Sequence, residues 1–140
     1  MRLEWRFASE GDLDLLAEWN HQLIRDEGHR NPMTAPELGQ RMRGWLAGGY
    51  EAVVFSEKDP AAYALFRREE ALIHLRQLFV RRDRRRLGVG RCAVEILRRE
   101  VWPRSARLTV DVLCANKSAI AFWRSVGYRD YSLTLEIMPL

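Results

Sequence analysis

The stretch that most constrains this chain is Leu78-Phe79-Val80 followed by Arg81-Arg82-Asp83-Arg84-Arg85-Arg86-Leu87-Gly88-Val89-Gly90. A short apolar run ends in a turn bearing two glycines. An apolar stripe at helical spacing (Val89, Cys92, Ala93, Ile96, Leu97) then leaves it. Strand, glycine turn and helix in that order can hold an anion. A helix N-terminus leaves about four backbone N–H groups unpaired and carries partial positive charge. Glycines at 88 and 90 have no Cβ to keep oxygens off the backbone. The flanking arginines add charge-assisted contacts and long-range attraction. Residues Arg85 to Gly90 are therefore expected to bind the phosphates of a cofactor. A dinucleotide fingerprint would need a third glycine where Ala93 stands, and a P-loop would need Gly-Lys-Ser/Thr, which does not follow.

The rest of the chain gives this turn its context. Leu3 to Ala8 alternates as a short strand, and Ser9 with Asp12 starts a helix carrying Leu13, Leu16, Leu23 and Ile24. A polar break, Asp26 to Pro32, precedes a second helix with Thr34 as N-cap, Pro36 in its first turn and Glu37 closing a capping box. Leu38, Met42, Trp45 and Leu46 form its apolar face, and Gly48-Gly49 ends it. Three strand-like runs follow at hairpin spacing, Tyr50–Ser56, Ala61–Arg67 and Ala71–Val80, predicting an antiparallel meander. After the turn's helix, which Pro103 terminates, Leu108–Leu113 is a strand. Asn116 then caps a helix with Ala119, Ile120, Trp123 and Val126, and Tyr131–Met138 alternates as a closing strand. The order βααβββαβαβ predicts an α/β (α+β) fold in which one mixed, mostly antiparallel sheet carries helices on both faces.

A chain of 140 residues with 47% hydrophobic and 30% charged residues is expected to form one globular domain over residues 1–140. No apolar run approaches a bilayer span and the first residues lack a signal-peptide core, so a cytoplasmic protein with no membrane partner is expected. Cys92 and Cys114 have no metal-like spacing and are read as small buried packing residues, and no metal site is expected. The net charge of +4 is concentrated in Arg81, Arg82, Arg84, Arg85 and Arg86. No aromatics are interleaved with that block to stack on bases, which argues against nucleic acid.

These residues resemble the GNAT-type N-acetyltransferases. The cofactor motif of that family, Val-x-x-x-x-Arg-x-x-Gly-x-Gly, reads here as Val80, Arg85, Gly88 and Gly90. A second motif follows as Val110-Asp111-Val112, Asn116, Ala119, Phe122-Trp123 and Gly127-Tyr128. The resemblance is close over residues 71–138 and looser over the N-terminal strand and helices. It implies acetyl-CoA as co-substrate, held in a V-shaped opening between the strands Ala71–Val80 and Arg107–Leu113. Backbone groups around Leu78, Phe79 and Val80 would pair with the pantetheine arm. The amides from Arg86 to Arg91 would hold the pyrophosphate. Asn116, Phe122 and Trp123 would flank the pantetheine and thiol. It also implies direct attack by an amine, with a backbone N–H near Val80 as oxyanion donor. A homodimer is left open, through pairing of the closing strand.

Acetyl transfer needs a neutral amine and a proton for the leaving thiolate. Where many relatives have Tyr this chain has Trp123, whose indole N–H is a very poor acid, so a wall for the thiol is the simpler role. Asp111 is the candidate base, with ion pairing to an arginine as the alternative. His74 and Gln77 could order a water. Asp26, Glu27 and His29 lie where the family builds its acceptor pocket, and adjacent carboxylates would suit a cationic amine. The expected activity is transfer of acetyl to a primary amine on a small molecule or protein. A non-catalytic CoA-binding or sensing module of the same fold is the alternative.

Overall fold

The computed structural model describes all residues from Met1 to Leu140. Five strands form one sheet in the order β1-β2-β3-β4-β5, comprising β1 (Glu4–Phe7), β2 (Tyr50–Glu57), β3 (Asp59–Glu69), β4 (Leu72–Val80) and β5 (Arg107–Val110). The first four are antiparallel neighbours and β5 joins β4 in parallel. The helices are α1 (Leu13–Glu27), α2 (Ala35–Ala47), α3 (Val89–Ile96) and α4 (Lys117–Ser125), with a single π turn, Leu97–Val101, prolonging α3. No helix is long and apolar enough to cross a membrane.

Alternation along the strands builds two cores. Val53, Phe55, Ala62, Ala64, Phe66, Ile73 and Leu75 pack under α3 with Val89, Ala93 and Leu97. Ala52, Val54, Tyr63, Leu65 and Phe79 face the other way, onto Leu13, Leu16, Trp19 and Leu23 of α1 and Met42 of α2. The positions that pack on α1 and α2 are thus one residue out of phase with those beneath α3, as a two-residue period requires.

In β4 this phase breaks. Leu65 of β3 pairs with Gln77 but Phe66 pairs with Leu75, so Arg76 is an extra residue, a β-bulge. Ile73 and Leu75 face α3, whereas Gln77 and Phe79 face α1 and α2. Strict alternation would have put all four on one side.

The closing strand is not found. Tyr131–Met138 makes no backbone hydrogen bond and joins no sheet, so the order ends at α4. Alternation supplied the strand pattern, but within one chain the segment has no neighbour to pair with. Cys92 is half-buried, while Cys114 lies exposed in the loop before α4, contrary to the expectation that both pack inside.

The start of α1 is fixed by charge. Asp12 accepts from Nη1 and Nη2 of Arg6 at 2.7 and 2.8 Å and from the Ser9 amide at 2.8 Å, closing the capping box. The Arg6 guanidinium holds this carboxyl down at about 2. Because the folded value is depressed, the stabilisation is complete above about pH 4 and is lost as pH falls toward 2. Arg6 is half exposed, which lowers the contribution to about 1–2 kcal/mol. Asp12→Asn is expected to lower unfolding free energy by about that amount at pH 7. Denaturant titrations should show the gap to the parent closing below pH 4. A gap that persists at pH 2 would contradict this account.

Candidate functional site

The site lies where β4 and β5 part. Their parallel pairing runs only from Leu72–Arg107 to Leu75–Val110, and the bulge at Arg76 begins one residue later. Beyond it, β4 continues alone on that side to Val80. The amide of Arg81 donates to the Ala61 carbonyl at 2.8 Å, so Phe79 and Gln77, in phase with Arg81, also point their peptide groups toward β3. The peptide groups of Leu78 and Val80 therefore face the opening.

The turn that follows is held by its own arginines. Arg81 binds Asp83 and the Pro60 carbonyl, and Arg84 meets Glu57 at 3.2 Å. Arg85 donates to the Val80 carbonyl at 2.7 Å, lies over the Phe79 ring at 5.3 Å, and reaches Asp26 at 2.8 Å. Arg82 takes the other Asp26 oxygen at 2.7 Å. Arg86 alone of this block has no acidic partner. It and Gly88 take left-handed backbone angles (φ 62° and 83°), which curl the chain into α3. Every amide from Arg86 to Arg91 lacks a backbone or side-chain acceptor, leaving a concave run of free donors.

Gly90 has a further role that the sequence did not disclose. A Cβ there would lie 3.2 Å from Phe122 Cζ, so its hydrogen lets α4 close against α3. Phe122, Trp123 and Tyr128 follow edge to face, with centroids 4.9 and 5.4 Å apart. Asn116 accepts from the Ala119 amide at 3.2 Å as N-cap of α4.

The opposite wall comes from the end of α1. Gly28 (φ 73°) turns the chain so that His29 Nε2 sits 3.2 Å from Glu27 Oε1. Burial raises the Glu27 carboxyl above its usual range, against the pull of His29. The buried Tyr63 hydroxyl feels the Glu27 charge and donates to Gln77 Oε1 at 2.7 Å. At the fork itself, His74 Nδ1 shares a hydrogen bond with Thr109 Oγ1 at 2.8 Å and Nε2 lies 3.5 Å from Asp111 Oδ2, the Asp111 side chain being 93% exposed. Asp26 and Glu27, adjacent in sequence, thus have different surroundings. Asp26 is neutralised by two arginines and Glu27 is desolvated beside a histidine.

The model of the acetyltransferase (GNAT) family matches residues 13–128. A mutant of the BH1408 protein from Bacillus halodurans superposes with TM-score 0.80 at 22% identity, over 98% of this chain and 99% of that one. The aminoglycoside N-acetyltransferase AAC(6')-Iy in complex with CoA gives 0.76 at 12% identity, over 99% and 95%. A predicted acetyltransferase from Clostridium acetobutylicum with acetyl-CoA gives 0.73 at 16%, over 98% and 96%. A comparison with curated proteins finds no match. The five-stranded mixed sheet with its four helices is the fold of these acyltransferases.

Gly90→Val is expected to cost about 1–3 kcal/mol by overpacking against Phe122. The double variant Gly90→Val/Phe122→Ala should recover part of that loss in a thermal-unfolding cycle. Strict additivity would show that the two side chains do not meet.

Proposed function

The chain belongs to the GNAT family of acetyltransferases, and on that premise we propose that it passes acetyl from acetyl-CoA directly to a primary amine. The observation that carries this reading is the open edge of β4 beyond Arg76, continuous with the run of free amides from Arg86 to Arg91. Acetyl-CoA supplies an activated thioester. The residues present suit it: donors at Arg86–Arg91 for a pyrophosphate, the Leu78 peptide groups and the Val80 N–H for an amide-bearing arm, and aromatic surface at Phe122 and Trp123 for the thiol end. That two structural neighbours hold CoA or acetyl-CoA supports the assignment.

Within this reading the Val80 N–H is the donor to the developing oxyanion. Asp26 and Arg85 are positioning residues. Asp26 orients Arg85, and Arg85 fixes the Val80 peptide through its carbonyl. Glu27, its carboxyl raised by burial, accepts the proton of the incoming ammonium with His29 alongside. Asp111 stands at the fork in solvent, next to His74, and is the second candidate for that step.

We also propose that two copies pair through the C-terminal segment. Tyr131, Leu133, Leu135 and Ile137 are 84%, 72%, 83% and 98% exposed on an extended run whose backbone groups are all free. Arg107, at the start of β5, lies over Tyr131, while Arg30, in the loop after α1, binds Glu136. The segment therefore runs in the direction of β5, beside an edge that has no outer neighbour. A two-fold related copy presents the same segment antiparallel to that edge, covering both.

CoA is expected to raise the melting temperature, and thiol release with a broad amine panel should follow acetyl-CoA. Glu27→Gln should keep the CoA-induced shift while lowering turnover about 100-fold. It should also remove an acid limb of the pH–rate profile that lies above the usual carboxylate range. A panel giving neither CoA binding nor thiol release would refute the activity. In light scattering the chain should run at twice its mass, and Leu133→Lys/Ile137→Lys should halve it. A monomeric parent would exclude the pairing.

A further inference from the structure

On the sheet face covered by α2, three guanidinium groups gather with a single carboxylate against them. The guanidinium carbons of Arg41 and Arg76 lie 4.3 and 4.6 Å from the centre of one indole, that of Trp45. Arg76 and Arg67 both reach the Tyr50 hydroxyl, at 3.5 and 3.4 Å. Of the three arginines only Arg67 has a carboxylate, Glu69 at 2.7 Å. Arg41 is half-buried and its one hydrogen-bond partner is the Asn20 carbonyl oxygen at 3.2 Å.

The unsatisfied atoms here are all donors. Arg41 Nε, Arg67 Nε and Asn20 Nδ2 are buried without an acceptor. Stacking on an aromatic face relieves part of the repulsion between neighbouring cations but supplies no acceptor for their N–H groups. Burial and the nearby Arg76 make the Arg41 cation less favourable than in water. A group with several acceptor oxygens and negative charge meets both deficits, and the planar fork of arginine suits a carboxylate or phosphate.

The cluster also adjoins the acceptor side of the proposed active site. Arg76 is the bulge residue immediately before Gln77, which receives the Tyr63 hydroxyl, and Tyr63 feels both Glu27 and Arg41. From Arg76 to Leu78, where the open edge begins, is about 7 Å at the rise of an extended strand. Resting on the acetyltransferase reading, we propose that Arg41, Arg76 and Arg67 around Trp45 form an oxyanion subsite of the acceptor pocket. The acceptor then bears a carboxylate or phosphate set apart from its reactive amine. Asp26, one of the two carboxylates expected to suit a cationic amine, is itself already neutralised by Arg82 and Arg85.

Two measurements test it. Protein saturated with CoA, so that the pyrophosphate turn is filled, is titrated with inorganic phosphate at constant ionic strength and followed by melting temperature. The parent should show a saturable rise, with affinity at least tenfold weaker in Arg41→Gln and in the exposed-site variant Arg76→Gln. No rise, or one unchanged in the variants, overturns the subsite. If CoA itself fails to bind, the acetyltransferase reading falls, and the same titration without CoA still decides the cluster. In the second measurement kcat/KM is compared for 6-aminohexanoate against its amide, and for 5-aminopentyl phosphate against 5-aminopentanol. At least tenfold preference for the anion in one pair, abolished by Arg76→Gln, is expected, and the preferred pair distinguishes carboxylate from phosphate. Equal or reversed preferences in both pairs would overturn the proposal.

Discussion

The single extra residue in β4 is the constraint on which the site depends. With strict alternation, Gln77 and Phe79 would face α3 and the α1 side of the sheet would lose the Trp19–Phe79–Tyr63 aromatic cluster, whose centroids lie 5.2 to 6.2 Å apart. The bulge at Arg76 turns them over, and next to it β4 and β5 separate. One backbone irregularity thereby provides three things. It supplies apolar anchorage for α1 and an edge at Leu78 and Val80 without a strand neighbour, and it places Gln77 on the face where Glu27 ends α1. The edge is tolerated in the monomer because its peptide groups line an opening instead of a dry interior.

Charge then secures what the bulge begins. The arginine block looks in the sequence like an unspent positive patch, but in space most of it is internally neutralised. Asp26 takes Arg82 and Arg85, Asp83 takes Arg81, and Glu57 takes Arg84. What remains for an anion at the turn is the backbone donors and Arg86. Arg41 and Arg76, which also lack a carboxylate partner, are far apart in sequence and come together around Trp45.

This arrangement explains what could be read from the sequence. Capping boxes at Ser9 and Thr34, the glycine turn before α3 and the period-two runs of β2 and β3 are local signals, and the elements they predict are present. The bulge carries no composition of its own, because nothing in the residue type at Arg76 marks it as an extra residue in the ladder. Pairing of Asp26 with Arg82 and Arg85 spans more than fifty residues and depends on how α1 crosses β4. The closing strand failed for the opposite reason. Tyr131–Met138 has the alternation of a strand, but alternation states which faces a segment would present, and the presence of a neighbour is a separate matter.

The same aromatic wall bears on how sulfur regains a proton after transfer. A thiol of reference pKa about 8.5 leaves readily as thiolate, so an acid helps only if its own pKa lies near that value. Trp123 cannot serve, since an indole N–H has no useful acidity. Tyr128 lies edge-on to Trp123, and burial pushes its hydroxyl up to about 12, with no hydrogen-bond partner to lower it. Donation from such a phenol to a thiolate is uphill by several powers of ten. On the proposed reading, the aromatic run Phe122, Trp123, Tyr128 is therefore a packing wall on the α4 side, and protonation of sulfur falls to solvent entering from the open side of the fork. On that reading base and acid functions are unequal: the end of α1 supplies a carboxylate raised by partial burial, and the face of α4 supplies shape alone.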